Sequence, residues 1–269
     1  MRLAEIISAL SVALDITEGQ LPGHAARTCL IGMRLAEELQ LSDDDRSALF
    51  YALLLKDLGC SSNAAKMCWL FGADDRLIKR DLKMINWTRA TECFRFSWQR
   101  AADGRSTLEK VLQMAMMARE GQNGARQLVQ TRCERGADIV RMLQLPEATA
   151  HAVRNLDEHY NGQGHPDGLK GEEIPLLSRI ACLAQTAEVF LTTYGLTDAL
   201  TVARDRRGDW FDPQLVGALH AISHDMTFWS TVASGDVHAE VVRREPPDHI
   251  IGADEATLDR IAIAFARVV

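Results

Sequence analysis

LDEHYNGQGHPDGLKGEEIPLLSRI, residues 156 to 180, is the stretch whose residue types packing alone does not explain. Gly162, Gly164, Gly168 and Gly171 permit positive φ or close backbone approach, while Pro166 and Pro175 fix φ, so the segment predicts a loop of defined turns. Asn161, His165, Asp167, Lys170, Glu172 and Glu173 are interleaved with the glycines, unlike the Gly/Ser repeats of a flexible linker. A shaped polar loop of this kind serves a site or a partner. Pro175 then opens an apolar helix running to Tyr194.

Outward from the loop the chain reads as helices. Leu3, Ile6, Ile7, Leu10 and Leu14 fall at helical spacing, and Gly19 with Pro22 stops that helix. A second helix starts near His24 and carries Leu30, Ile31, Met33, Leu35 and Leu39. Ser42 and Asp45 read as a capping pair for a third, which ends at Lys56-Asp57-Leu58-Gly59, with Gly59 expected in the left-handed region. Residues 61 to 106 show no long stripe and predict short helices and loops. Helices are then expected from Thr107, from about Ala125 to Leu143, from 147 to about 160, and from Leu215 to His224. No alternating strands with hairpin turns appear, so the fold class is all-α; Val232 to Val242 is the one stretch expected to be extended.

Composition narrows the function classes. The 269 residues, 47% hydrophobic, can bury a full core. No run is long and apolar enough for a membrane span, and the N-terminus lacks the pattern of a signal peptide, which predicts a soluble cytoplasmic protein without membrane insertion. The net charge of −7, with signs interspersed, argues against nucleic acid as a partner. The six cysteines contain no CxxC pair, so buried reduced thiols are expected. His151 and His159 are expected at the surface near a helix end, and Met114, Met116 and Met117 read as core filler.

Gly164-His165-Pro166, the following DGLKGEEIP and Arg179-Ile180 resemble the signature loop of HD-GYP domains. These are metal-dependent phosphohydrolases best known for opening cyclic dinucleotides such as cyclic di-GMP. His24 before a helix, Lys56-Asp57 at a helix end, Gly136 within RCERGADIV and Phe211-Asp212-Pro213 fall in the family's order, so the resemblance covers roughly residues 1 to 225. It implies an HD-domain-like helical bundle with the glycine-rich loop between two helices. It also implies iron or manganese ions that bridge and activate a water.

The ligand positions have largely changed. His24 and Asp57 match the family's first histidine and the aspartate of its His-Asp pair, and Glu158 stands in place. Lys56 replaces the histidine of that pair, Cys60 a phosphate-contacting lysine, Arg132 a further histidine, Leu156 and Asp157 a consecutive histidine pair, and Gln185 an aspartate. His165 takes the place of a tyrosine and is expected in an exposed loop role. Two cations at ligand positions predict a catalytically inactive site in which Asp57, Asp157 and Glu158 pair with Lys56 and Arg132. The domain would then be a regulatory, ligand-sensing or dimerising module of cyclic-dinucleotide signalling. Alternatives are a phosphate or nucleotide sensor built on Lys56 and Arg132 side by side, a remnant single-metal site of His24, Asp57 and Asp157, an active phosphodiesterase with unusual ligands, and a partner-binding module acting through residues 161 to 171.

Residues 258 to 269, LDRIAIAFARVV, echo residues 3 to 14, LAEIISALSVAL. The expected organisation is a degenerate domain over 1–225, an irregular connector over 226–257, and a C-terminal helix over 258–269 that starts a second domain of the same kind. Partners implied are that second domain, a signalling partner domain, a cyclic dinucleotide, or a second copy in a homodimer.

Overall fold

The computed structural model of the chain describes residues 2–101, 104, 106–247 and 250–266. Among the described residues every regular element is helical and only two isolated β-bridges occur. No helix among them is long and apolar enough to cross a membrane.

Helices α2 (His24–Glu38) and α3 (Asp43–Leu55) pack against α8 (Glu147–Arg154) and α9 (Leu176–Tyr194), and α1 (Leu3–Thr17) packs on α2 and α3; together they hold the main core. Small residues bring the axes close. A Cβ on Gly32 of α2 would lie 2.5 Å from Leu53 Cδ1 of α3, and α9 buries Ala181, Ala184 and Ala187. The caps follow the sequence: Ser42 Oγ accepts the Asp45 amide at 3.2 Å, and Asp212 caps α11 (Pro213–Ala221) through the Gln214 amide at 2.8 Å. Gly19 closes α1 in the left-handed region at φ 66°.

Gly59 differs from its expected role. Its φ is −88°, and what requires glycine is proximity, because an added Cβ would lie 1.9 Å from the Arg132 carbonyl oxygen. Together with Gly136 it lets the segment after α3 touch the backbone of a crossing helix.

That helix, α7 (Thr107–Met142), joins the two expected around 107 and 125, with its one break at Gly121 (φ 61°, ψ −163°). Before it, α4 (Ala64–Phe71), α5 (Asp75–Leu82) and α6 (Ala90–Arg100) are short, as residues 61 to 106 predicted. With Leu128 of α7 they build a second apolar cluster of Met67, Leu70, Phe71, Ile78 and Phe96. α8 ends at Arg154, earlier than expected, and α10 (Leu196–Asp205) follows α9.

Residues 226–257 are not an irregular connector, and 232–242 is not extended. α12 (Met226–Ser234) and α13 (Val237–Arg243) send Phe228, Trp229, Val232, Val237 and Val241 into the main core. Asp225 and Asp236 cap them, an aspartate signal that was legible. α14 (Glu255–Ala266) buries Ile261 and Ala264; residues 267–269 of the expected terminal helix lie outside the described residues.

Candidate functional site

Six segments converge where the resemblance implies a metal centre. α2 begins on His24, fixed by the buried Asp15, whose carboxylate accepts the amides of Gly23 at 2.7 Å and Ala25 at 3.0 Å. Lys56 and Asp57 follow α3, Arg132 lies on α7, Asp157 and Glu158 follow α8, and Gln185 lies on α9. Lys79 and Lys83 come from α5 and the turn after it.

At the centre stand ammonium groups. Lys56 Nζ donates to His24 Nε2 at 2.9 Å and pairs with Asp57, all three side chains buried. His24 Nδ1 in turn faces Glu188 of α9, which also receives Arg27 Nε at 2.6 Å. The tautomer follows from the network: Nδ1 carries the proton toward Glu188, and the Nε2 lone pair accepts from Lys56. Burial and the Lys56 charge hold His24 below its ordinary value, consistent with a neutral ring. Lys83 Nζ lies 3.2 Å from Glu18 Oε2 and 3.5 Å from Asp57 Oδ1, and Lys79 Nζ lies 2.8 Å from Asp75 Oδ2. Burial alone would raise the Asp57 carboxyl, but Lys56 and Lys83 hold it well below the usual range. Arg132 pairs with Asp157.

The expected ion pairs Lys56–Asp57 and Arg132–Asp157 are therefore present, and Glu158 does not join them. Its carboxylate accepts the amides of Asp167 at 2.6 Å, Gly168 at 3.1 Å and Leu169 at 3.0 Å, which fixes the loop from beneath. Gly164 approaches so closely that a Cβ would sit 2.1 Å from the His159 nitrogen, and Gly162, Gly168 and Gly171 all have positive φ. Arg126 holds the Pro166 carbonyl at 2.9 Å, Lys170 keeps its side chain exposed, and Arg179 pairs with Asp212, tying the signature to α11.

Beside the lysine cluster opens a cavity of about 450 Å³. Arg132, Asp157, Gln185, Lys79 and Lys83 are among the residues that line it, and Lys56 is not. The lysines of α5 were missed in the sequence; their i, i+4 spacing was the available signal. His159 and His165 also depart from the surface positions expected. His159 is 1% exposed between Trp87 and Trp210, and His165 is half-buried against Trp87.

Burial pushes the His159 imidazole well below its ordinary value, with Arg206 and His165 acting in the same direction. A lowered folded value means that the unfolded chain takes up the proton first. Stability should be full above about pH 6.5 and fall on acidification by up to about 1.4 kcal/mol per pH unit from this residue. Melting curves at pH 7.5 and 5.5 check this, and His159→Gln should flatten the difference.

Glu18, Asp57 and Cys60 place three donor atoms within 4.8 Å of one another, a group able to hold one ion. Lys56 and Lys83 address the same carboxylates, and burial raises the Cys60 thiol well above its ordinary value, whereas a metal needs the thiolate. These residues do not fit the multi-ion centre of the active family.

Residues 109–215 match the HD domain family. The chain is 40% identical over 267 residues to the 3'3'-cGAMP-specific phosphodiesterase 3 of Vibrio cholerae serotype O1, an alignment covering 99% of this chain and 58% of that protein. It is 40% identical over 68 residues to the cyclic di-GMP phosphodiesterase response regulator RpfG of Xanthomonas campestris pv. campestris, covering 23% of this chain and 18% of the relative. The crystal structure of a cyclic GMP-AMP specific phosphodiesterase of V. cholerae, V-cGAP3, superposes with a TM-score of 0.77 at 35% identity, over 100% of this chain and 60% of that one. The chain thus spans about three-fifths of that curated V. cholerae relative and of that solved structure. The matched HD domain, the all-α bundle and the signature loop support assignment of the chain to the HD-GYP group of HD domains.

Proposed function

We propose that the protein serves cyclic-dinucleotide turnover, and that the domain described here binds the dinucleotide with cations of its own chain rather than cutting it through metal ions. The observation that carries this reading is Lys56, buried between His24 and Asp57, with Lys83 against the same aspartate. An ammonium there repels a divalent ion and satisfies the ligands that would hold one. Lys83 and Arg132, both on the cavity wall, are the cations offered to phosphate. Each is already paired with a carboxylate, so phosphate would share or displace that carboxylate.

A second reading, hydrolysis by this domain itself, is favoured by the relatives. The 40% identity to a 3'3'-cGAMP-specific phosphodiesterase runs along 99% of the chain, and Glu18, Asp57 and Cys60 supply a donor set. At the level of the whole protein the comparisons weigh toward hydrolysis; at the level of this site the lysines weigh against it.

One experiment separates the two. The purified chain, loaded with iron or manganese and desalted, is assayed for bound metal by mass spectrometry and for cleavage of 3'3'-cGAMP by chromatography. We expect substoichiometric metal, no turnover and retained binding of the intact dinucleotide. One or more ions per chain together with turnover would establish the second reading instead.

A further inference from the structure

The cavity has two unlike walls. α4, α6 and α7 supply an apolar side that includes Phe71, Phe96 and Met117. The same cavity is lined by aromatic rings in contact with one another, and by Lys83 and Arg132. The Trp87 and His165 rings stack with centroids 5.1 Å apart and planes 24° apart. His159 lies 4.5 Å from Trp87 and stacks on Trp210 at 4.0 Å, and the Arg206 guanidinium covers Trp210 at 4.3 Å. His159 is 1% exposed, and its Nδ1 is buried without a hydrogen-bond partner. A buried imidazole nitrogen left unmatched costs stability unless something else matches it.

We propose that this wall is a nucleobase subsite, in which Trp87 and His165 give the stacking face and His159 Nδ1 meets the base edge, with Lys83 and Arg132 within the same cavity for the phosphates. It rests on the reading that the domain binds a cyclic dinucleotide, and it says what recognises the base. A planar heterocycle matches both features at once: its face stacks on the rings, and its edge offers a polar partner to the orphaned nitrogen. An aliphatic chain would fill the apolar side and leave that nitrogen unmatched. Trp87 comes from the connection between α5 and α6, so the family's shared loop contributes only His159 and His165.

The test is calorimetric titration of the chain with 3'3'-cGAMP, and with inorganic pyrophosphate as a probe lacking a base. Trp87→Ala should weaken the dinucleotide about tenfold or more, the loss of one stacked base, while leaving pyrophosphate unchanged. Trp87→Phe should restore most of the affinity. His165→Ala, whose side chain is half-buried, is the second variant and should shift binding the same way even if the tryptophan change perturbs packing. Unchanged dinucleotide affinity in both alanine variants would overturn the subsite while leaving the functional reading standing. Failure of the unaltered chain to bind 3'3'-cGAMP at all would overturn both.

Discussion

Lys56→Met should destabilise the domain by about 3 kcal/mol, the lower end of what breaking a buried ion pair costs. The Lys56 side chain is 1% exposed, and its ammonium satisfies His24 Nε2 and Asp57 together. Methionine keeps the stem and removes the charge, leaving a buried carboxylate and a buried ring nitrogen short of a donor. Lys83, 3.5 Å from Asp57, stays to limit the loss. Chemical denaturation measures the difference. The informative companion is Lys56→Met with Asp57→Asn, which removes both charges and should be less destabilised than Lys56→Met alone. Additive or worse behaviour in the double variant would mean that the pair is not the unit that stabilises this centre.

Gly164→Ala should cost about 3 kcal/mol as well, for a steric reason. The added carbon would lie 2.1 Å from the His159 nitrogen, 2.5 Å from the Asp157 carbonyl oxygen and 2.5 Å from Glu158 Cα. All three are backbone atoms and no rotamer change relieves the clash. The displaced segment includes Glu158, which holds the amides of Asp167, Gly168 and Leu169, so the loop should lose order along with stability. Gly217→Ala provides the contrast. It sits within α11, with nothing within 4 Å of the added carbon, and should be neutral or stabilising by about 0.5–1 kcal/mol. Equal melting temperatures for the two variants would remove the steric argument.

The helices around the core were legible because each carries a local signal: a stripe at helical spacing, the Ser42 cap, the glycine stop at Gly19. The loop was legible because its glycines and prolines are constrained by backbone geometry, which is local too. The ion pairs Lys56–Asp57 and Arg132–Asp157 followed from the resemblance, since cations at ligand positions need the carboxylates around them.

What escaped is long-range. Glu18 and Lys83 meet only when α5 folds back on α1, and nothing near either residue announces the other. His159 looked like a surface residue at a helix end because its two covers, Trp87 and Trp210, lie far from it in sequence. Gly59 carried a local expectation that a contact with α7 overrode. The helices α12 and α13 are short and rely on packing against the core more than on their own periodicity.

The lysine-filled centre also sets how the domain depends on its surroundings. Where metal ions hold a site together, the binding free energy of the ions is part of the folding free energy, and a chelator or a starved medium withdraws it. Here the positive charge is covalently part of the chain, contributed by α5 and the end of α3. It arrives with translation and no chelator withdraws it, so on the function proposed above the cluster around His24 should keep its order whatever the supply of iron or manganese.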